Sequence, residues 1–197
     1  MSLLFRRFPN WVALLVAGLA IGAFAAPAGA APVTPVPSVD LQQYLGRWNQ
    51  IAAIPAWYEA ACQRNVTATY SLNDDGTIRV ANRCFNALGQ VTSTGRARVL
   101  DHTTNAQLQV AFFQLAGQWA YIGSTPNYVI MGLDPGYRWA VVGDPMHQSA
   151  FVLSRTPALT AAQTTEIQAT LMTNGYDPCR LKVTPQSGGL TKAVDFC

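Results

Sequence analysis

The chain has 197 residues, a formal charge of only +3 and charged side chains at 12% of its length, about half the ~25% of an ordinary soluble domain. Its Lys and Arg are scattered, which excludes a basic stripe for nucleic acid. Half the residues are hydrophobic, enough for a single core that needs no metal or staple to hold it.

The first thirty residues read as an export signal. Arg6 and Arg7 form a basic start, Trp11 to Ala25 an apolar run too short to span a bilayer comfortably, and Ala28-Gly29-Ala30 a small-residue cleavage site. Residues 1–30 are therefore expected to be a signal peptide removed after Ala30. No Cys follows the run, so a lipid-modified N-terminus is not expected. "APVTPVPSV", residues 31–39, has the composition of a Pro-rich extended linker. It would set the domain, residues 40–197, away from the membrane, an arrangement compatible with peripheral association with the cell envelope.

"YLGRWNQIA" (44–52) opens the domain. As a strand it puts Trp48, Gln50 and Ala52 on one face and Asn49, Ile51 and Ala53 on the other. One face starts with a plug and then turns small, which suits the closed end of a hollow barrel. "NVTATYSL" (65–72) and "TIRVANRC" (77–84) flank Asp75-Gly76, a strong hairpin signal. In "VTSTGRARVL" (91–100), Arg96 and Arg98 point to water, so Gly95, Ala97 and Val99 point inward. "AQLQVAFF" (106–113) alternates with Leu108, Val110 and Phe112 on one face. "NYVIMGL" (127–133), "RWAVVG" (138–143) and "SAFVLS" (149–154) complete eight short, evenly spaced runs. That spacing predicts an all-β fold, an eight-stranded up-and-down antiparallel β-barrel.

The period then changes. Thr160 and Gln163 form a capping box, Ile167 and Leu171 a narrow apolar stripe, and Gly175 a C-cap. One C-terminal α-helix packed outside the barrel is expected, followed by an extended segment at 180–185.

Cys62, Cys84, Cys179 and Cys197 lie behind the export signal, and an even count in an oxidising compartment reads as two disulfides. Their spacing does not fit a zinc site. Four cysteines allow three pairings. Cys62–Cys84 with Cys179–Cys197 is preferred, and Cys62–Cys197 is the rival. The first bridge requires the chain before residue 65 to fold back, because the hairpin sets Cys84 near Thr67.

Three short motifs now carry a resemblance. "GRW" at 46–48, "LDPGYRWAVV" at 133–142 and "FVLSRTP" at 151–157 resemble, in order and separation, the three signatures of the lipocalin family, in its bacterial and apolipoprotein-D-like branch. Asp134 and Tyr137 fill the Asp and Tyr roles of the second signature, whose Thr is replaced by Leu133. The resemblance runs from about Asp40 to Val183. It implies that Gly46, Trp48, Asp134, Tyr137 and Arg155 are structural, with Arg155 stacked over the Trp48 indole at the barrel floor. A cation over a Trp face contributes ~0.5–2 kcal/mol.

An eight-stranded barrel encloses room for one small ligand. Ala68, Tyr70, Gly95, Ala97, Leu108, Val110, Phe112, Tyr128, Trp139 and Phe151 are the cavity candidates, with small residues leaving volume beside aromatic and aliphatic ones. Trp119 is expected in a mouth loop, and Gln118, Tyr121 and Arg138 are expected near a ligand's head group. No catalytic constellation is legible, and His102 and His147 read as solvated loop residues. The expectation is a secreted binder of a small hydrophobic ligand, of the fatty acid or lysophospholipid kind, without cofactor, metal or nucleic acid. Two rivals remain: a lipocalin-type isomerase or hydrolase acting on a lipid, and a barrel that binds a protein through its surface.

Overall fold

The structure is a computed structural model that describes residues 31–197; the expected signal peptide lies outside the described residues. A short helix α1 (Leu41–Tyr44) leads into β1 (Gly46–Ala53), β2 (Arg64–Leu72), β3 (Ile78–Asn86), β4 (Gly89–Val99) and β5 (Gln107–Ala111). A small hairpin, β6 (Gln114–Leu115) and β7 (Gln118–Trp119), interrupts the path to β8 (Tyr128–Leu133), β9 (Trp139–Gly143) and β10 (Ala150–Ser154). Helix α2 (Ala161–Thr173) and β11 (Lys182–Val183) follow. Strands β1 to β5 and β8 to β10 pair antiparallel with their neighbours in chain order, and β10 pairs back to β1. The barrel closes, which removes the exposed edges of an open sheet.

Local chemistry explains the elements. At the β2–β3 turn Gly76 takes φ +78°, and Asp75 Oδ1 accepts from the Thr77 N–H, the turn geometry Asp-Gly favours. The Thr160 hydroxyl caps α2 while Gln163 returns to the Thr160 N–H. Gly175 ends the turn at φ +78°. Ile167 and Leu171 lose all their exposure.

Two apolar layers result. The barrel interior joins Trp48, Tyr70, Val80, Leu108, Ile130 and Leu153. A second layer, between wall and helix, joins Ile51, Met131, Val141 and Val152 to Ile167, Leu171 and Tyr176. The β1 alternation departs from expectation. Gln50 faces Leu153, but Ala52 faces Val152, so Ile51 is an extra residue in a bulge. Parity slips by one, and Ala52 joins Ile51 in the helix layer instead of sharing the face of Trp48.

Strands β1 and β2 pair only from Gly46↔Tyr70 to Asn49↔Thr67 and then splay apart. The tail fills the gap. β11 pairs with Ala52 and Ala53, the Thr184 N–H donates to Ile51 O, and Gln186 Nε2 donates to Gln50 O and Val66 O. Both preferred disulfides are present, Cys62–Cys84 and Cys179–Cys197. A β2 bulge between Arg64 and Thr67 shifts the pairing by one residue, and before it the Cys62 N–H turns back to Glu59 O while the Gln63 N–H donates to Phe85 O, beside the first bridge.

The Pro-rich segment is not a free spacer. The Thr34 N–H donates to Asn174 Oδ1, the Val36 N–H to Ile130 O and the Val39 N–H to Thr104 O. Val39 is buried. Its alternating valines give the segment apolar contacts that composition alone did not reveal.

The floor is held by Arg155. Its guanidinium carbon lies 3.7 Å from the Trp48 ring centroid. It donates to the carbonyls of Arg47 at 2.8 Å, Gln43 at 2.7 Å and Leu45 at 2.9 Å. Trp48 Nε1 donates to Tyr44 O. Gly46 sits at φ +90°, where a Cβ would strain the backbone and lie 3.5 Å from that guanidinium. Beside it, buried Asp134 accepts from the Gly136 and Arg138 N–H groups and from the Arg138 guanidinium. Hydrogen bonding to Arg138 holds its carboxyl below the usual range.

Because Arg155 combines stacking with several charge-assisted bonds, Arg155→Ala is expected to cost about 2–4 kcal/mol, and Arg155→Lys about 1–2 kcal/mol. Urea unfolding at unchanged slope reads both values. Wild-type stability in Arg155→Ala would refute this account of the floor.

Candidate functional site

Above the floor the interior changes character. Ile130 and Ala140 are fully buried, and Leu153 nearly so. Higher up, Ala68, Val110, Tyr128 and Phe151 pack on that core but stay only partly buried. The register Ala68↔Asn82↔Ser93 adds two small polar groups to the same face, and Ser93 is exposed. The upper interior thus presents apolar surface and a few neutral polar groups, with no formal charge among these residues.

Seven of the ten candidates share the interior cluster: Ala68, Tyr70, Ala97, Leu108, Val110, Tyr128 and Phe151. Gly95 faces Val80 of the same cluster. A Cβ there would meet Ala111 O at 2.7 Å and the Phe112 ring at 2.8 Å, so Gly95 admits the close approach of Phe112. Phe112 lies just past the end of β5 and is half exposed.

Trp139 is a correction. In β9, Ala140 faces Leu153 and Val142 faces Phe151, so these two point inward. Strand alternation then sends Trp139 and Val141 to the helix layer. Trp139 Nε1 is buried there without a hydrogen-bond partner among the described residues.

The expected head-group residues are also placed elsewhere. Arg138 is bound to Asp134 at the closed end. The connection from β5 to β8 folds down over the outside of the wall. Arg98 lies 4.3 Å from the Tyr121 ring centre and Arg96 5.7 Å from that of Trp119. Gln109, fully buried on the outer face, donates to the carbonyls of Ile122 and Gly123. Gln118 belongs to the exposed hairpin of this connection.

The open end is bounded by the β1–β2, β3–β4, β5–β8 and β9–β10 connections. Each carries an exposed large apolar side chain: Trp57, Leu88, Leu115 and Met146 respectively. The Cys62–Cys84 bridge ties the β1–β2 connection to buried Cys84. Glu59 on that connection accepts from Gln50 Nε2. On the outer wall lies a depression of about 900 Å3 lined by Arg47, Arg79, Arg83 and a row of threonines. Its polar lining does not suit hydrocarbon.

Sequence reasoning missed Tyr44. It sits four residues before Trp48, rises from α1 into the interior and stacks on Tyr70 at 5.8 Å between ring centres. The i, i+4 spacing in "YLGRW" was the available signal. His147 is not a solvated loop residue either. Its Nε2 lies 2.8 Å from Asn174 O, and its ring packs on Tyr176. His102 is exposed. All four cysteines are bridged, and no cluster of three or more His, Cys, Asp or Glu suits a metal among the described residues.

A closed eight-stranded barrel with a Trp–Arg floor, an outer helix and an accessible interior defines a calycin. The chain belongs to the lipocalin family: the Lipocalin-like domain model matches residues 39–186. Among its relatives is the outer membrane lipoprotein Blc of Escherichia coli, 33% identical over 180 residues, covering 90% of this chain and 96% of that one. Temperature-induced lipocalin-1 of Arabidopsis thaliana is 31% identical, covering 77% and 82%. Apolipoprotein D of Mus musculus is 30% identical, covering 81% and 84%. Insecticyanin from the tobacco hornworm Manduca sexta shares the fold with a TM-score of 0.61 at 17% identity, covering 85% of this chain and 96% of that chain.

Burial raises the Glu59 pKa, and the Gln50 hydrogen bond only partly offsets it. A carboxyl raised on folding costs stability when ionised, and this cost is relieved as pH falls through the raised value. Glu59→Gln is therefore expected to be the more stable protein at neutral pH, with the difference closing in acid. Denaturation midpoints of both proteins across pH check this, and a variant less stable at pH 7 refutes it.

Proposed function

We propose that this lipocalin is exported, loses residues 1–30, and sequesters or carries one small hydrophobic ligand of the fatty acid or lysophospholipid kind in its barrel. The observation that carries the reading is the partly exposed apolar surface of Ala68, Val110, Tyr128 and Phe151 above a sealed floor. The exposed apolar side chains of the rim support it, because they offer entering hydrocarbon apolar contacts there. An envelope or extracellular setting is supported by the disulfides and by a relative named as an outer membrane lipoprotein. Passive binding fits the site better than catalysis: among the described residues the interior presents no nucleophile paired with a base.

Affinity should rise with chain length, since burial contributes roughly 25 cal/mol per Å2 of apolar surface. A fluorescent fatty acid titrated into delipidated protein tests this against variants. Phe151→Glu should abolish binding, because an unpaired buried charge costs several kcal/mol. Trp139→Phe should leave affinity within about twofold while lowering stability, since that ring belongs to the helix layer. Failure of every apolar probe to bind the wild type would overturn the reading in favour of a surface binder.

Intact mass of protein recovered from the exporting host should correspond to a chain starting at Ala31, with no alkylated cysteine. A free thiol in native material would revive the enzyme reading.

A further inference from the structure

Three tyrosine hydroxyls meet inside the barrel. Tyr128 Oη lies 2.8 Å from Tyr44 Oη and 3.1 Å from Tyr70 Oη. Each belongs to a different element: α1, β2 and β8. The rings around them are ordered, with Tyr44 stacked on Tyr70 and Tyr70 edge-on to Tyr128. Tyr44 and Tyr70 are buried, whereas Tyr128 is only partly so. None of the three makes another hydrogen bond through its hydroxyl among the described residues.

A count of protons shows what this cluster lacks. Three phenols carry three protons, each phenol donating one. Two hydrogen bonds join the three oxygens and use two of those protons. Tyr44 and Tyr70 can both donate to Tyr128, or the donation can run along the row in either direction. Each arrangement leaves one O–H without an acceptor. Burial pushes Tyr70 up to about 12 and raises Tyr44 and Tyr128 well above the ordinary phenol value, so all three remain protonated donors at neutral pH. A donor left unpaired in such a setting is costly, and water or a ligand must take it.

We propose that the tyrosine cluster is a polar subsite of the barrel, and that its third proton is donated to a neutral oxygen acceptor of an otherwise apolar ligand: a ketone, an ester or an undissociated acid. This deepens the hydrophobic-ligand reading and rests on it. A carboxylate is the weaker fit. Among the described residues the cation near the cluster is Arg155, which is committed to the Trp48 face and to the carbonyls of Arg47, Gln43, Leu45 and Tyr137, leaving the anion's charge unpaired. The ligand therefore enters oxygen first, with its hydrocarbon toward Val110, Phe151 and the rim.

The test compares a methyl ketone of about twelve carbons with the alkane of equal length, each displacing the neutral probe N-phenyl-1-naphthylamine. One hydrogen bond is worth about 0.5–1.5 kcal/mol, so replacing all three tyrosines by Phe should weaken ketone binding about 3–10-fold and leave the alkane within about twofold. Removing the hydroxyls together leaves no orphan behind, and same-shape apolar replacement is close to neutral for folding. Tyr70→Phe alone keeps two phenols, one bond and one spare proton, so it should retain the ketone preference. The infrared C=O stretch of the ketone, isotopically labelled, gives a reading in the wild type alone. On binding it should fall below its frequency in hexane. An unshifted stretch, or equal losses for ketone and alkane in the triple variant, overturns the subsite while leaving the hydrophobic-ligand reading intact. Binding of neither compound to the wild type overturns both.

Discussion

The guanidinium of Arg155 and the indole of Trp48, 3.7 Å apart, set the conditions under which the rest of the barrel can be left partly unfilled. A barrel closed at neither end would admit water to both faces of its interior. Here the ring supplies area and the cation covers it, while its N–H groups satisfy carbonyls from the turn between α1 and β1. Those carbonyls have no strand partner, so the arginine replaces ladder hydrogen bonds as well as stacking. Gly46 is the consequence: the chain must turn at positive φ to aim three carbonyls at one cation.

Stability is thereby concentrated away from the ligand. The floor and the layer beneath α2 hold many of the fully buried side chains, including Ile167, Leu171 and Leu181. The upper wall is assembled differently. β1 and β2 part company after Asn49↔Thr67, and the Gln186 side chain bridges the two strands with one amide group. Cys62–Cys84 fastens one mouth connection, while Cys179–Cys197 holds the tail whose preceding residues fill the split. Covalent ties and a borrowed strand take the place of core packing where a ligand needs the space.

The sequence made the strands legible because period-two alternation and turn residues are local. Asp75-Gly76 and the Thr160–Gln163 box needed no tertiary information. The floor was legible only through resemblance, since nothing local says that Arg155 meets Trp48 across more than a hundred residues. The side facing was legible only in part. Trp139 follows a turn in which Tyr137 takes φ +55°, and no rule of alternation carries parity across such a turn. Ala52 was misread for a related reason, because the bulge at Ile51 is a pairing fact between two strands. The connection over residues 112–127 starts at the mouth and then lies over the outer wall, which was not legible because its partners there, Arg98 and Gln109, sit on strand faces read as turned to solvent.

What remains inside the upper barrel is neutral. The arginines of the wall face outward, Arg138 is bound to Asp134 below, and the ring of connections offers Trp57, Leu88, Leu115 and Met146. The interior cluster among the described residues holds no charge to compensate that of an entering molecule, so an ionised group must keep its water at the mouth or stay outside. Hydrocarbon is favoured on every step inward. Discrimination among apolar molecules then rests with the few polar atoms that do lie inside, and the tyrosine hydroxyls are the ones held in fixed positions by ring packing from three separate elements. A rigid neutral donor set among apolar walls distinguishes ligands by where their oxygen sits along the chain, which is information that an apolar pocket alone does not contain.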